Sequence, residues 1–215
     1  ESVPEDVASF ASARVSLAPV WDEVQRIVAG FSPNAMAAVN GYLDQLAQKL
    51  GQPFNLRNDV LSVFGPRMST YTWYEKPFNM MTSKNTIFRM DISSAAAFDN
   101  AWQKLQALFP EFLSMFKQKD YMGYRVFSME MPGMAGGMSY TPMQAMGPGP
   151  GMMPTPALAV TDTEVIISSK LDTVQAHLRR LGGQGPSLAA LSDFQDAIRS
   201  LPSENRILIG YGDGR

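Results

Sequence analysis

The sequence predicts an α+β fold: a mainly antiparallel sheet with helices packed on one face, preceded by amphipathic helices. Two observations support this prediction. Segments with strand-like patterns follow one another in hairpin-type pairs, and segments with helical periodicity separate these pairs. The regular alternation of strand and helix that is typical of a doubly wound parallel sheet is not seen in the sequence.

The first part of the chain combines a strand with two helices. Residues 4–15 alternate small and apolar side chains, which predicts a strand. A helix is expected next, ending near Gly30, and its apolar face would carry Val20, Trp21, Val24, Ile27 and Val28. Apolar residues then recur at steps of three and four from Met36 to Leu50, so a second helix is predicted, with Gly51 at its end.

The middle of the chain reads as strands around one helix. Residues 67–75 and 86–92 are rich in aromatic and β-branched side chains, which favours two paired strands. The helix predicted over 95–108 has Ser93 or Ser94 as its N-cap. Residues 121–131 are predicted to form one strand, with a bulge or close backbone approach at Gly123.

The last part of the chain predicts five further elements and a turn. Short strands are expected at 157–160 and 164–169, with a turn over residues 161–163. Helices are expected at 171–181 and 188–201, and a final strand at 206–211.

Three parts are predicted along the chain. Residues 1–58 form a strand and helices packed on the main domain, and residues 59–201 form that α+β domain. Residues 202–215 form a strand that could open a second repeat. This idea follows from the likeness of the two ends, where a proline and polar residues precede a strand.

Composition excludes several classes of function. The 215 residues carry a net charge of −2 with no block of like charge, which argues against binding to nucleic acid or to an anionic membrane surface. The absence of cysteine excludes disulfides, thiolate metal sites and cysteine nucleophiles. No apolar run approaches the roughly 20 residues of a membrane-spanning helix.

Several segments together resemble a known family. They are PEDVASFASARV from residue 4, TIFRMDISSAAAFDNAWQKL from residue 86, YMGYRVFSME from residue 121, PALAVTDTEVIISSKLDTVQAHLRRL from residue 156 and LPSENRILIGY from residue 201. This pattern is similar to an uncharacterised family of exported bacterial proteins, a domain of unknown function often present in tandem copies. The resemblance implies an exported, envelope-associated α+β protein without enzyme activity, located in the periplasm or at the cell surface.

A methionine-rich segment lies between two predicted strands. Residues 129–153 hold eight of the 15 methionines together with six glycines and four prolines. Residues 132–156 are therefore expected to be a loop without regular structure, although methionines also suit an adaptable contact surface. Because thioethers select Cu(I), a third interpretation is a copper site. Its candidate ligands are Met129, Met131, Met134, Met138, Met143 and Met146.

An aromatic cluster is the best candidate for a partner contact. It consists of Tyr71, Trp73, Tyr74 and Phe78. In a strand, Tyr71 and Trp73 share one face and Tyr74 lies on the other, so one aromatic face should lie away from the core unless helices cover both sides. The alternative is a core strand followed by a packed turn.

Catalytic signatures are weak. His177 is the only histidine and is predicted to lie on a helix surface, at the edge of the apolar face. Asp162 and Glu164 are assigned to a turn. The first hypothesis is therefore a non-enzymatic structural or interaction module of the cell envelope, with no cofactor. Its partners would be other envelope proteins or further copies of its own unit. The alternatives are a Met-rich Cu(I)-binding or copper-tolerance protein, and a hydrolase whose site is not visible in sequence.

Overall fold

A computed structural model describes residues 3–76, 83–129, 155–183, 185–200 and 208–212. The described strands are β1 (Ser9–Arg14), β2 (Phe64–Tyr74), β3 (Lys84–Ile92), β4 (Phe116–Tyr121), β5 (Tyr124–Met129), β6 (Ala157–Val160), β7 (Glu164–Ser168) and β8 (Leu208–Gly212). The described α helices are α1 (Leu17–Phe31), α2 (Pro33–Leu50), α3 (Leu56–Asp59), α4 (Ala95–Leu108), α5 (Pro110–Leu113), α6 (Leu171–Leu181) and α7 (Ser192–Ser200). Short 3-10 helices occupy Leu61–Val63 and Leu188–Ala190.

The eight described strands belong to one sheet, in the order β4-β5-β6-β7-β3-β2-β1-β8, and every neighbouring pair among them is antiparallel. The predicted α+β class with an antiparallel sheet is confirmed. β8 pairs with β1, where Tyr211 lies opposite Phe10, so the described part of 202–215 forms the edge of this same sheet. A second repeat after this strand stays a prediction.

Helices cover both faces of the sheet, where the expectation was one. On one face, α6 packs its Val174 and Leu178 against a cluster that includes Ile166 of β7. On the other face, α4 packs Phe98 against Phe127 of β5. The physical reason is visible in β6, whose four residues ALAV are all buried. A strand without a polar face needs cover on both sides.

The hairpin β4–β5 replaces the single strand expected over 121–131. Met122 and Gly123 form the two-residue turn between the strands, with φ of 54° and 81°. Two successive residues with positive φ are the signature of the type I′ hairpin turn, which matches the twist of antiparallel strands. The predicted bulge at Gly123 is therefore wrong. β4 lacked a strand signal because its central residues, Lys117 to Asp120, are all polar and exposed.

Predicted helix ends are confirmed where the sequence names a cap. The backbone N–H of Ala97 donates to Ser94 Oγ at 3.1 Å, at the start of α4. Gly51 ends α2 with a φ of 66°, in the left-handed region that favours glycine.

The helix pair α1–α2 is tied to the rest of the fold at its ends. In α1, Ala18 is buried and Asp22 accepts from Arg57 Nε of α3 at 2.7 Å. In α2, Lys49 Nζ donates to the backbone oxygen of Leu108 at 2.5 Å. Between these anchors much of the surface of α1 faces solvent.

Candidate functional site

Five side chains form a core polar cluster between the sheet and α6. The sheet contributes Tyr71 from β2, Arg89 from β3 and Glu164 from β7, and α6 contributes His177 and Arg180. Neighbouring antiparallel strands bring residues that are far apart in sequence onto one face. The cluster therefore joins four elements that the sequence separates by up to 109 residues, from Tyr71 to Arg180.

Tyr71 and His177 form the buried centre of this cluster. Both residues are 0% exposed, and the Tyr71 hydroxyl lies 2.5 Å from His177 Nδ1. Burial lowers the pKa of His177, which the nearby Glu164 only partly offsets, so the imidazole is neutral at neutral pH. Burial likewise raises the pKa of Tyr71, so the phenol keeps its proton and forms a hydrogen bond with the neutral imidazole.

The ion pair of Arg89 and Glu164 lies beside this centre. Arg89 donates from Nε and Nη2 to Glu164 Oε2, at 2.8 and 2.6 Å. Burial alone would raise the pKa of Glu164, but His177 and Arg89 outweigh it, and the net pKa is lowered. The carboxylate is therefore charged, and the pair brings no net charge into the core.

Two buried nitrogen atoms of the cluster have no hydrogen-bond partner among the described residues. His177 Nε2 lies 4.0 Å from Glu164 Oε1, which is beyond hydrogen-bond distance. Arg180 Nη1 is the other atom, although its guanidinium lies 5.4 Å from the centre of the Trp73 ring in a cation–π contact. The histidine, phenol and carboxylate are types used in acid–base chemistry, but here they contact one another under α6, away from solvent.

The second feature is an apolar stripe on α1, formed by Val20, Val24, Ile27 and Phe31. These side chains are 46%, 42%, 44% and 89% exposed. Their spacing of four, three and four residues places them along one line of the helix. Trp21 and Val28 lie on the adjacent face and are half-buried, so the fold covers only part of the apolar surface of this helix.

The residues of the predicted aromatic contact site lie in different environments in the structure. Tyr71 and Trp73 are 0% and 6% exposed, so their prediction as partner contacts is wrong. They are covered because α6 packs on their side of β2, with Arg180 over the Trp73 ring. Tyr74 points to the other face and is 47% exposed, so a partner contact through this residue stays a prediction. Phe78 lies outside the described residues.

The predicted copper ligands fall largely beyond the described residues. Met129 is the half-buried last residue of β5. Met131, Met134, Met138, Met143 and Met146 are outside the described ranges. Within the part of the chain that the structure describes, no three His, Asp or Glu side chains are grouped as a metal site. Copper binding by the methionines stays a prediction.

Two features were missed at the sequence level, and each had a signal. His177 is buried rather than on the surface, because it lies three residues after Val174 and four before Leu181, within the inward face of α6. On α1, the apolar residues were assigned to one face. A spacing of one residue turns the helix by about 100°, so neighbours such as Val20 and Trp21 cannot share a line.

These observations define an α+β protein with a buried polar cluster and an exposed apolar helix. Comparison with protein-family models, curated proteins and solved structures found no match. The family resemblance of the sequence therefore stays a prediction. Among the described helices, none has the length and apolar character needed to cross a membrane.

Proposed function

We propose that this protein is a non-enzymatic interaction module of the cell envelope and that it binds its partner through the α1 stripe. The observation that carries the proposal is the exposure of four aligned apolar side chains, ending in Phe31, which is 89% exposed. Together they expose on the order of 400 Å² of surface, a patch size that in monomers often has a function.

The contacts that hold α1 in place favour a docking role for this helix. Asp22, on another side of the helix, is bound by Arg57, and Glu23 pairs with Arg26 within the helix. Ala18 anchors the first turn in the core. The stripe is therefore presented on a helix whose position is already fixed, so α1 itself would lose little conformational entropy when a partner binds.

The core polar cluster supports the non-enzymatic part of the proposal. Catalysis requires an ionisable group that reaches the substrate. In this cluster His177 and Tyr71 are fully buried, and Glu164 is held by Arg89. Their contacts connect α6 to three strands, which is a structural role. Location in the periplasm or at the cell surface is supported by the sequence resemblance.

Paired cysteine protection tests the docking role. Because the sequence has no cysteine, Phe31→Cys and Ala29→Cys each introduce a single thiol. Ala29 is exposed but lies on the opposite side of α1, about 180° from Val20, so it is the matched control. At position 31, labelling by a membrane-permeant maleimide should be slower in the producing cells than in dilute purified protein. At position 29, the two labelling rates should be the same. The same ratio of the two rates at both positions would contradict the proposal.

A further inference from the structure

The α1 stripe has a symmetric spacing. Its residues follow at intervals of four, three and four, so the order of intervals is the same from either end. The midpoint lies between Gln25 and Arg26. A second α1 that runs antiparallel about this midpoint would place Val20 opposite Phe31 and Val24 opposite Ile27.

Side-chain size favours this antiparallel arrangement. Each level of the contact would combine a valine with a larger residue, Phe31 at both ends and Ile27 at both central levels. A parallel pair would instead place Phe31 against Phe31 at one end and Val20 against Val20 at the other. The antiparallel pair therefore keeps a more even distance between helices, which close packing needs.

Charges beside the stripe permit the same arrangement. The stripe itself carries no charge, and Glu23 on its flank pairs with Arg26 of the same helix. In the antiparallel pair, Glu23 and the Glu23 of the copy would be offset by about 7.5 Å along the helix axis. The two Arg26 side chains would be offset by only about 1.5 Å along the axis, but each lies about 130° around its helix from the stripe and points away from the contact. No charged side chain is then buried without its partner.

We propose that a second copy of this chain covers the α1 stripe, in an antiparallel α1–α1 pair with two-fold symmetry. This inference rests on the proposed docking function and names its partner. Two stripes would bury roughly 800 Å² in total, which is below the about 1,200 Å² of stable specific interfaces, so the pair would be a weak, reversible one. The dissociation constant should therefore be on the order of 10–100 μM, within reach of ordinary sedimentation measurements.

A charge-exchange experiment tests the pairing. Val24→Lys and Ile27→Glu each bury a charge in a homodimer, so each variant alone should associate at least about tenfold more weakly than the wild type. In a mixture, the new lysine meets the new glutamate in the antiparallel heterodimer, and Val24 of one chain meets Ile27 of the other. Association should return in the mixture. Ala29→Lys, on the far side of α1, should dimerise as the wild type does.

Sedimentation velocity from about 5 μM to 1 mM, with circular dichroism as a check of folding, gives a readout for every outcome. The pairing is supported when both single variants are monomeric and their mixture dimerises. It is overturned when the wild type stays monomeric throughout, or when it dimerises and the mixture does not. If the wild type is monomeric while Phe31→Cys is still protected in cells, the docking function stands and its partner is another protein.

Discussion

At the residue scale, Glu164 is the acceptor on which the core polar cluster depends. Glu164→Gln keeps the shape of the side chain but leaves the Arg89 guanidinium without its carboxylate in a largely buried position. Removal of one partner of a buried ion pair costs about 3 kcal/mol or more. We expect a loss of that size in the free energy of unfolding, measured by urea denaturation.

Glu23→Gln is the matched control for this substitution. It also breaks a carboxylate–arginine pair, but the pair with Arg26 lies on the surface of α1. No measurable change in stability is expected, since exposed pairs contribute little. Equal effects of the two substitutions would show that the buried pair does not stabilise the core.

The same cluster predicts how stability depends on pH. The folded protein lowers the pKa of His177 below its ordinary value of 6.5, so the unfolded chain takes up this proton more readily. Stability is then fully present above pH 6.5 and falls as the pH drops below it. Glu164, whose pKa is lowered from 4.5, adds a second loss below that pH.

His177→Gln separates the contribution of His177 to the pH dependence of stability from that of Glu164. Because this is the only histidine in the sequence, the substitution removes the imidazole component completely. The slope of unfolding free energy between pH 7.5 and 5.5 should become flatter in the variant, whatever its absolute stability. An unchanged slope would mean that His177 does not titrate differently in the folded state.

The sequence could have indicated the burial of His177 but not its partners. The helical period places position 177 on the inward face of α6, so burial follows from local pattern. The contact with Tyr71 depends on the strand order, in which β3 separates β7 from β2. No property of a single segment specifies that order.

At the element scale, the start of β2 carries a close contact with the end of β3. A Cβ atom at Gly65 would lie 2.8 Å from the Cβ of Asp91, next to an irregular pairing between Phe64 and Met68. Gly65→Ala must therefore displace one strand, and we expect it to lower the free energy of unfolding by about 1–3 kcal/mol.

Gly41→Ala provides the opposite case in the same protein. Gly41 lies within α2, and an added Cβ meets no atom within 4 Å. Alanine is the better helix former, so this substitution should stabilise the protein by about 0.5–1 kcal/mol. Chemical denaturation of both variants checks the pair. A neutral Gly65→Ala would contradict the close strand approach.

Elements with strong local signals were predicted well, and the others show what local pattern lacks. The bounds of α6 match the expectation over 171–181, because its helical period ends at Leu181 and a glycine, Gly182, follows as the C-cap. β4 was missed, since an edge strand needs no apolar face and its lysines carry no strand signal. The contact at Gly65 depends on the register of two strands, which the turn and the core determine together.

At the scale of the whole molecule, the antiparallel α+β class could be predicted but the two-sided cover could not. Hairpin-type neighbours in sequence become neighbours in the sheet, as in β6–β7. The apolar run ALAV of β6 was compatible with burial on both faces, yet the helix that covers each face depends on tertiary packing. The α1 stripe was seen as apolar, but sequence alone could not show which part stays exposed.

The copper hypothesis also concerns a property of the intact protein, which is its binding of Cu(I). It predicts stoichiometric Cu(I) binding by the intact protein, measured anaerobically against a competing chelator, and loss of this binding in a variant lacking residues 132–156. Thioether sulfur is the ligand that would explain such binding. Equal binding by both proteins would exclude the methionines of this segment, and no binding by either would remove the hypothesis.

The central claim is that the α1 stripe is the surface through which this protein meets its partner. The most direct measurement is photo-cross-linking in the producing cells, with a photoreactive phenylalanine analogue in place of Phe31 and, as control, in place of Ala29. A discrete protein adduct formed from position 31 and absent from position 29 is the predicted result. Irradiation that yields no adduct from position 31, or the same adducts from both positions, would contradict it.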